Sequence, residues 1–199
     1  MSVPDFPSRR TSLARRRALQ RMMALGAAPA SWLLAPHAWS LPAKTLQFPR
    51  DFGSHEELGT EWWYITGHVS AGGRPWGFQL TFFRRRVEAT QPLQSAFAAK
   101  QLLLAHAALC DVQGQVLLHD QRMARAGMGL AGASSQDTAI HINDWRLTRA
   151  SRDGQRAADA SRYTATLKAR DFALDLQMDT TQPTLLQGDR GLSRKGPLA

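Results

Sequence analysis

The most regular stretch of the chain is an alternation. Phe172, Leu174, Leu176 and Met178 are separated by Ala173, Asp175 and Gln177, with Asp179 following. A period of two puts the larger apolar side chains on one face, so this segment reads as a half-buried strand. The same period runs through residues 76–83, where Phe78, Leu80 and Phe82 oppose Gln79 and Thr81. Before it, residues 62–69 are rich in aromatic and β-branched side chains, and Gly72-Gly73 separates the two runs. Two strand-like runs around a Gly-Gly pair predict a hairpin. Residues 102–111 and 115–119 flank Val112-Gln113-Gly114 and predict a second. Residues 140–147 and 162–169 read as two more strands, joined by a longer connection containing Asp153-Gly154. Residues 91–100 read as a short helix or a loop, and residues 125–137, rich in Gly, Ala and Ser, as a flexible loop.

No window carries the 3.6-residue period of an amphipathic helix. The pattern therefore predicts an all-β domain of about seven or eight antiparallel strands joined mostly by short turns. Such strands, each with one apolar face, close most simply into an up-and-down barrel or a curled sheet. A barrel of this kind can enclose a cavity for a small apolar ligand.

The N-terminus follows a different rule. Residues 1–40 hold six arginines (Arg9, Arg10, Arg15, Arg16, Arg17, Arg21) and one acid, Asp5. An uncharged run, residues 22–34, follows and is broken by Pro36, with Ala38-Trp39-Ser40 beyond it. That run is shorter than the ~20 residues needed to span a bilayer as a helix. It has the length of a signal-peptide apolar region behind a positive one. The pair Arg16-Arg17 resembles a twin-arginine export signal. Residues 1–40 are accordingly expected to be a cleaved leader, residues 41–199 the mature domain, and the location periplasmic or secreted.

This leader changes the meaning of the net charge of +9. More than half of the excess lies in residues 1–40, and what remains is a mildly basic surface without the basic-aromatic stripe of a nucleic-acid reader. No nucleic-acid partner is expected. The single cysteine, Cys110, excludes an intramolecular disulfide and reads as a small buried hydrophobe.

Candidate chemistry concentrates in Thr60-Glu61-Trp62-Trp63-Tyr64. Neighbours on a strand face opposite sides, so Trp62 and Tyr64 are expected to line the interior and Trp63 to pack outside. Glu61, at the head of the strand, is the candidate catalytic acid, since a carboxyl beside aromatic rings can be kept as a proton donor. Packing aromatics with Glu61 paired to an arginine is the plainer alternative. The run Arg84-Arg85-Arg86 reads as solvated, with one member able to turn inward towards Glu61. His106 interrupts the apolar run 102–109 and is either a buried, hydrogen-bonded side chain or a polar group on the ligand pocket. The histidines lie on separate segments without convergent spacing, so no metal site is expected. Phosphate-binding, dinucleotide-binding and serine-hydrolase motifs are absent from the sequence.

Several strings are more specific than any periodicity. They are Phe48-Pro49-Arg50-Asp51-Phe52-Gly53-Ser54-His55, Thr60-Glu61-Trp62-Trp63-Tyr64-Ile65-Thr66-Gly67-His68 and Gly77-Phe78-Gln79-Leu80-Thr81-Phe82-Phe83-Arg84. Leu104-Ala105-His106-Ala107-Ala108-Leu109, Leu186-Gln187-Gly188-Asp189 and Ser193-Arg194-Lys195-Gly196-Pro197 join them. Together they resemble the AttH-like family, lipocalin-like proteins related to carotenoid 1,2-hydratase (hydroxyneurosporene synthase), whose members are often labelled secreted hydrolases. The resemblance runs from about Phe48 to Pro197. It implies a lipocalin-like fold, a hydrophobic small molecule as ligand, and association with the subunits of an ABC transporter. It also implies two β-domains in tandem, of which this chain resembles the first, so that the second is expected to be missing. The hydratase relatives add water to an isoprenoid double bond without a cofactor, using an acid, aromatic walls that steady a cation, and a bound water. The expected function is an exported binding module for a lipid-like or isoprenoid molecule through Trp62, Tyr64 and His106. The alternative is a hydratase-like enzyme, incomplete here, with Glu61 as its acid.

Overall fold

The computed structural model describes residues 44–152 and 159–193. The expected leader, the Asp153-Gly154 connection and most of the Ser193–Pro197 motif lie outside the described residues. The chain forms nine strands: β1 (Thr60–Ala71), β2 (Arg74–Arg86), β3 (Gln101–Asp111), β4 (Val116–Arg125), β5 (Ala131–Ala133), β6 (Ala139–Ile142), β7 (Trp145–Ser151), β8 (Ser161–Lys168) and β9 (Ala173–Asp179). Two short 3-10 turns, Arg50–Phe52 and Glu88–Thr90, are the only helical elements among the described residues. β1–β4 make one antiparallel sheet and β5–β9 the other, and each strand pairs with its neighbour in sequence. The expected all-β architecture is present as two curled sheets rather than a closed barrel.

The first hairpin turns at Gly72-Gly73, whose φ angles of 59° and 75° lie in the left-handed region that glycine enters without steric cost. The second lies where Val112-Gln113-Gly114 places it. Its return strand continues beyond His119 to Arg125. Residues 140–147 are not one strand but the hairpin β6–β7. Ile142 pairs with Trp145 across the two-residue turn Asn143-Asp144, and Asn143 has a φ of 53°. Asparagine tolerates that conformation, so a turn signal stood inside an otherwise continuous apolar run. Residues 125–137 contain β5, a strand of three small residues, paired with β6. Residues 91–100 are loop.

The two sheets share one core. Phe78, Leu80, Phe82, Leu103, Ala105 and Ala107 face it from the first sheet. Ile140, Ile142, Trp145, Leu147, Ala165, Leu167 and Leu174 face it from the second. Trp145 is fully buried, and its Nε1 donates to the Lys168 carbonyl at 2.9 Å, so the large ring is buried without an orphaned donor. The segment ahead of β1 crosses between the sheets. Trp63 Nε1 and Thr138 Oγ1 both donate to the Phe52 carbonyl, and Ser54 N donates to the Ser134 carbonyl at 2.7 Å. Gly53 is required at this crossing, because a Cβ there would lie 2.8–3.0 Å from backbone atoms of Ser134, Ser135 and Asp137.

Candidate functional site

β1 and β9 are edge strands of the two sheets. A cleft of about 650 Å³ lies against residues 61–65 of β1 and Met178 and Asp179 of β9. Phe52, Trp63, Ile65, Leu147, Tyr163 and Met178 give it an apolar lining. The alternation of β1 decides which side chains enter: Trp63, Ile65 and Val69 pack on the core, whereas Trp62 and Tyr64 are 59% and 60% exposed. The expected facing is therefore inverted. Glu61 begins the inward set, and Glu61, Trp63 and Ile65 share its parity. Trp62 and Tyr64 still line part of the cleft, as largely exposed side chains.

A charged network closes one end. Glu61 Oε1 lies 2.7 Å from His55 Nδ1, and His55 Nε2 lies 2.8 Å from Asp51 Oδ1. Glu61 Oε2 accepts from Arg84 Nε at 2.7 Å and from Ser54 Oγ at 3.0 Å. Arg84 is almost wholly buried, and its Nη2 donates to the His55 and Leu58 carbonyls while Nη1 donates to Gln101 Oε1. The guanidinium fork thus holds both the carboxylate and the loop that carries the imidazole. Of the three consecutive arginines, Arg84 is the buried one: it shares the parity of Phe78, Leu80 and Phe82, while Arg86, of the same parity at the strand's end, pairs with Glu88 instead.

The proton count of the network follows from donor and acceptor chemistry. Both ring nitrogens of His55 face carboxylate oxygens, and an ionised carboxylate can only accept. Both contacts are satisfied when the trio holds one proton more than a neutral imidazole with two carboxylates. Lys44 and Arg50 also pair with Asp51 Oδ1, at 3.2 and 3.4 Å. Burial raises the Asp51 pKa, but the Gln47 amide, His55 and Lys44 stabilise the anion more strongly and bring it down to about 2. Further along the cleft, Tyr163 has its phenol pKa raised, by burial first, so it stays neutral. Its neighbour Arg149 donates to Asp137 Oδ2 at 2.7 Å and lies over the Phe52 ring at 4.5 Å.

His106 is not in this site. It is half-buried on the outer face of β3, opposite to Leu103, Ala105 and Ala107, with its ring 6.3 Å from that of His119. Glu61, the acid singled out by the sequence, is joined here by Asp51 and His55, which no strand pattern brings to notice. The i, i+4 spacing of Asp51 and His55 was the available signal. Among the described residues no group of three or more His, Cys, Asp or Glu side chains is arranged to hold a metal ion.

The AttH family model, described as AttH-like, matches residues 40–199. The crystal structure of a protein from Nitrosomonas europaea described as an AttH is similar to this chain, with 41% sequence identity and a TM-score of 0.64. That match covers 79% of this chain and 44% of the other, so the chain spans less than half the length of the solved relative. A search of curated proteins gave no match. With the family model extending over most of its length, the chain belongs to the AttH-like family.

Proposed function

We propose that the domain is an exported binding module that takes the apolar part of a lipid-like or isoprenoid molecule into the cleft between β1 and β9. The observation that carries this reading is the apolar cleft of about 650 Å³ ending on a largely buried network of hydrogen-bonded charged side chains. Ligand pockets have this make-up: mostly apolar walls for affinity and a few fixed polar groups for orientation. Export to the periplasm or beyond, and work alongside the subunits of an ABC transporter, complete the proposal. Both rest on the leader-like N-terminus and the family resemblance. Trp63 replaces Trp62 and Tyr64 as the principal aromatic contact, with those two at the lip.

A second reading is favoured by one feature, the chain Glu61–His55–Asp51 at the end of the apolar cleft, whose carboxyl and imidazole groups can carry a transferable proton. In a hydratase, that proton would add to one carbon of an isolated double bond. Water would then bond to the resulting tertiary cation and return a proton to the network, leaving the protein unchanged. Trp63 and Tyr163 would steady the cation through their ring faces.

Titration with retinol, an isoprenoid probe, should quench tryptophan fluorescence in the residue 41–199 chain. Trp63→Ala should weaken binding by about 2 kcal/mol, roughly thirtyfold, and Trp62→Ala by much less. Melting temperatures of both variants must first match the parent. Greater sensitivity at Trp62, with Trp63→Ala silent, would place the ligand on the other face and refute the cleft. Glu61→Gln should leave binding largely intact. Hydrated product that disappears with Glu61→Gln would put the enzyme reading first.

A further inference from the structure

His106 interrupts the apolar run of β3, and the cleft does not use it. Its side chain lies on the outer face of the first sheet, where strand register sets a second histidine beside it. His106 pairs with Gln121 and Ala108 with His119, so the two histidines are diagonal neighbours on adjacent strands. Their ring centroids are 6.3 Å apart, with the planes inclined at 41°. Ala108, the residue opposite His119, presents only a methyl group beside them. Neither ring makes a hydrogen bond or an ion pair with another described residue. Two imidazoles with uncommitted nitrogens therefore stand side by side.

We propose that His106 and His119 form a metal site outside the cleft, chelating copper(II) between their imidazoles. With metal–nitrogen bonds of ~2.1 Å, two rings on one ion have centroids about 5–6 Å apart, so small side-chain rotations close the gap. His106 is half-buried and His119 exposed, so one ligand is held in place while the other adjusts to the ion. The surrounding outer face is polar and uncharged. Thr66 and Gln79 share the row of His119, and Tyr64, Thr81 and Gln121 share that of His106. No Lys or Arg in these two rows repels an incoming cation. Imidazole suits copper, nickel and zinc, and copper(II) stands highest in the affinity order of the divalent ions. Among the described residues no third His, Cys, Asp or Glu joins the pair, so water fills the other coordination positions. The site is open and exchangeable, unlike a closed structural one.

The two ligands come from different strands, so they meet only when β3 and β4 are paired. An ion held between them binds the folded chain and not the unfolded one, and stabilises it accordingly. None of the residues lining the cleft belongs to β3 or β4, so this site stands or falls independently of ligand binding there.

Titration with copper(II) chloride tests it on the full chain, in a Cys110→Ser background that removes the thiol copper would oxidise. Electron paramagnetic resonance of the bound ion should show splitting from two imidazole nitrogens, and the melting temperature should rise with copper. His106→Gln and His119→Gln should each abolish the two-nitrogen pattern and the copper-dependent rise. Each should also weaken copper binding roughly tenfold or more, since a single imidazole lacks the effective concentration of the second. Because both histidines serve one ion, the double variant should lose little more than either single one. His68→Gln, on the same face but on β1, is the control and should change none of these readings. Melting temperatures without copper verify the fold, and if His106→Gln is destabilised, His119→Gln at its exposed position carries the test. A two-nitrogen signal that survives either substitution, losses that add as for two separate sites, an equal loss with His68→Gln, or no copper binding would each overturn the proposal.

Discussion

Arg84 satisfies four acceptors at once: the Glu61 carboxylate, the His55 and Leu58 carbonyls and the Gln101 side chain. Truncating one partner of a buried charge pair leaves the other desolvated and alone, so Arg84→Leu should cost about 3–5 kcal/mol in urea denaturation. Arg84→Lys keeps the charge but not the planar fork and should fall between that variant and the parent. Asp51 gives the same network a pH dependence. Its pKa is about 2 in the folded chain against about 3.9 unfolded, so its stabilisation is complete above about pH 4 and is lost as pH falls towards 2. After allowance for solvent screening, this amounts to about 1–2 kcal/mol. Acid titration of stability should show that loss, and Asp51→Asn should flatten the curve within the same window. At this scale the sequence was only partly legible. Glu61 stood out beside its aromatics, but the parity of β2 excludes only Arg85, and it is the position of Arg84 opposite Glu61 in the β1–β2 register that selects it over Arg86. Neither Asp51 nor His55 sits on a strand, and only the fold of the crossing segment brings them to Glu61.

Elements were easier to read where turn chemistry and periodicity agreed. The β1–β2 hairpin, the start of the next hairpin, and β9 follow directly from Gly72-Gly73, from Gly114 and from strict alternation. The β6–β7 hairpin escaped because its turn is two polar residues within an apolar stretch, and β5 because three small residues carry no period. Parity also failed at β1: Trp62, Trp63 and Tyr64 are all large aromatics, so hydrophobicity alone cannot say which faces inward. Register with β2, where Trp63 pairs with the buried Phe82, decides it. The β6–β7 turn can be tested. Asn143 holds a φ of 53° and donates its amide to the Leu130 carbonyl at 2.8 Å. Asn143→Val should cost about 1–2 kcal/mol in thermal unfolding, as a β-branched residue is forced into the left-handed region, whereas Asn143→Gly should be close to neutral.

For the molecule as a whole, the all-β class and sequential strand order were visible in the sequence, but closure was not. Nothing in a run of alternating residues says whether the first and last strands meet. Here β1 and β9 remain the edges of separate sheets, and the apolar cleft lies against both. The crossing segment ahead of β1 compensates in part, tying Phe52 to Trp63 and Thr138, and Ser54 to Ser134. Nearest-neighbour strand pairing has a further consequence, in time rather than in space. Every pairing is between strands adjacent in sequence, with connections from two residues up to the fourteen of 87–100, so either sheet can assemble from local contacts at modest entropic cost. The hydrogen bond from Thr138 to Phe52 spans 86 residues and can form only after both sheets exist. Folding should therefore proceed from two locally built sheets to a late fastening step, and the site, which needs that fastened segment for Asp51 and His55, is assembled last.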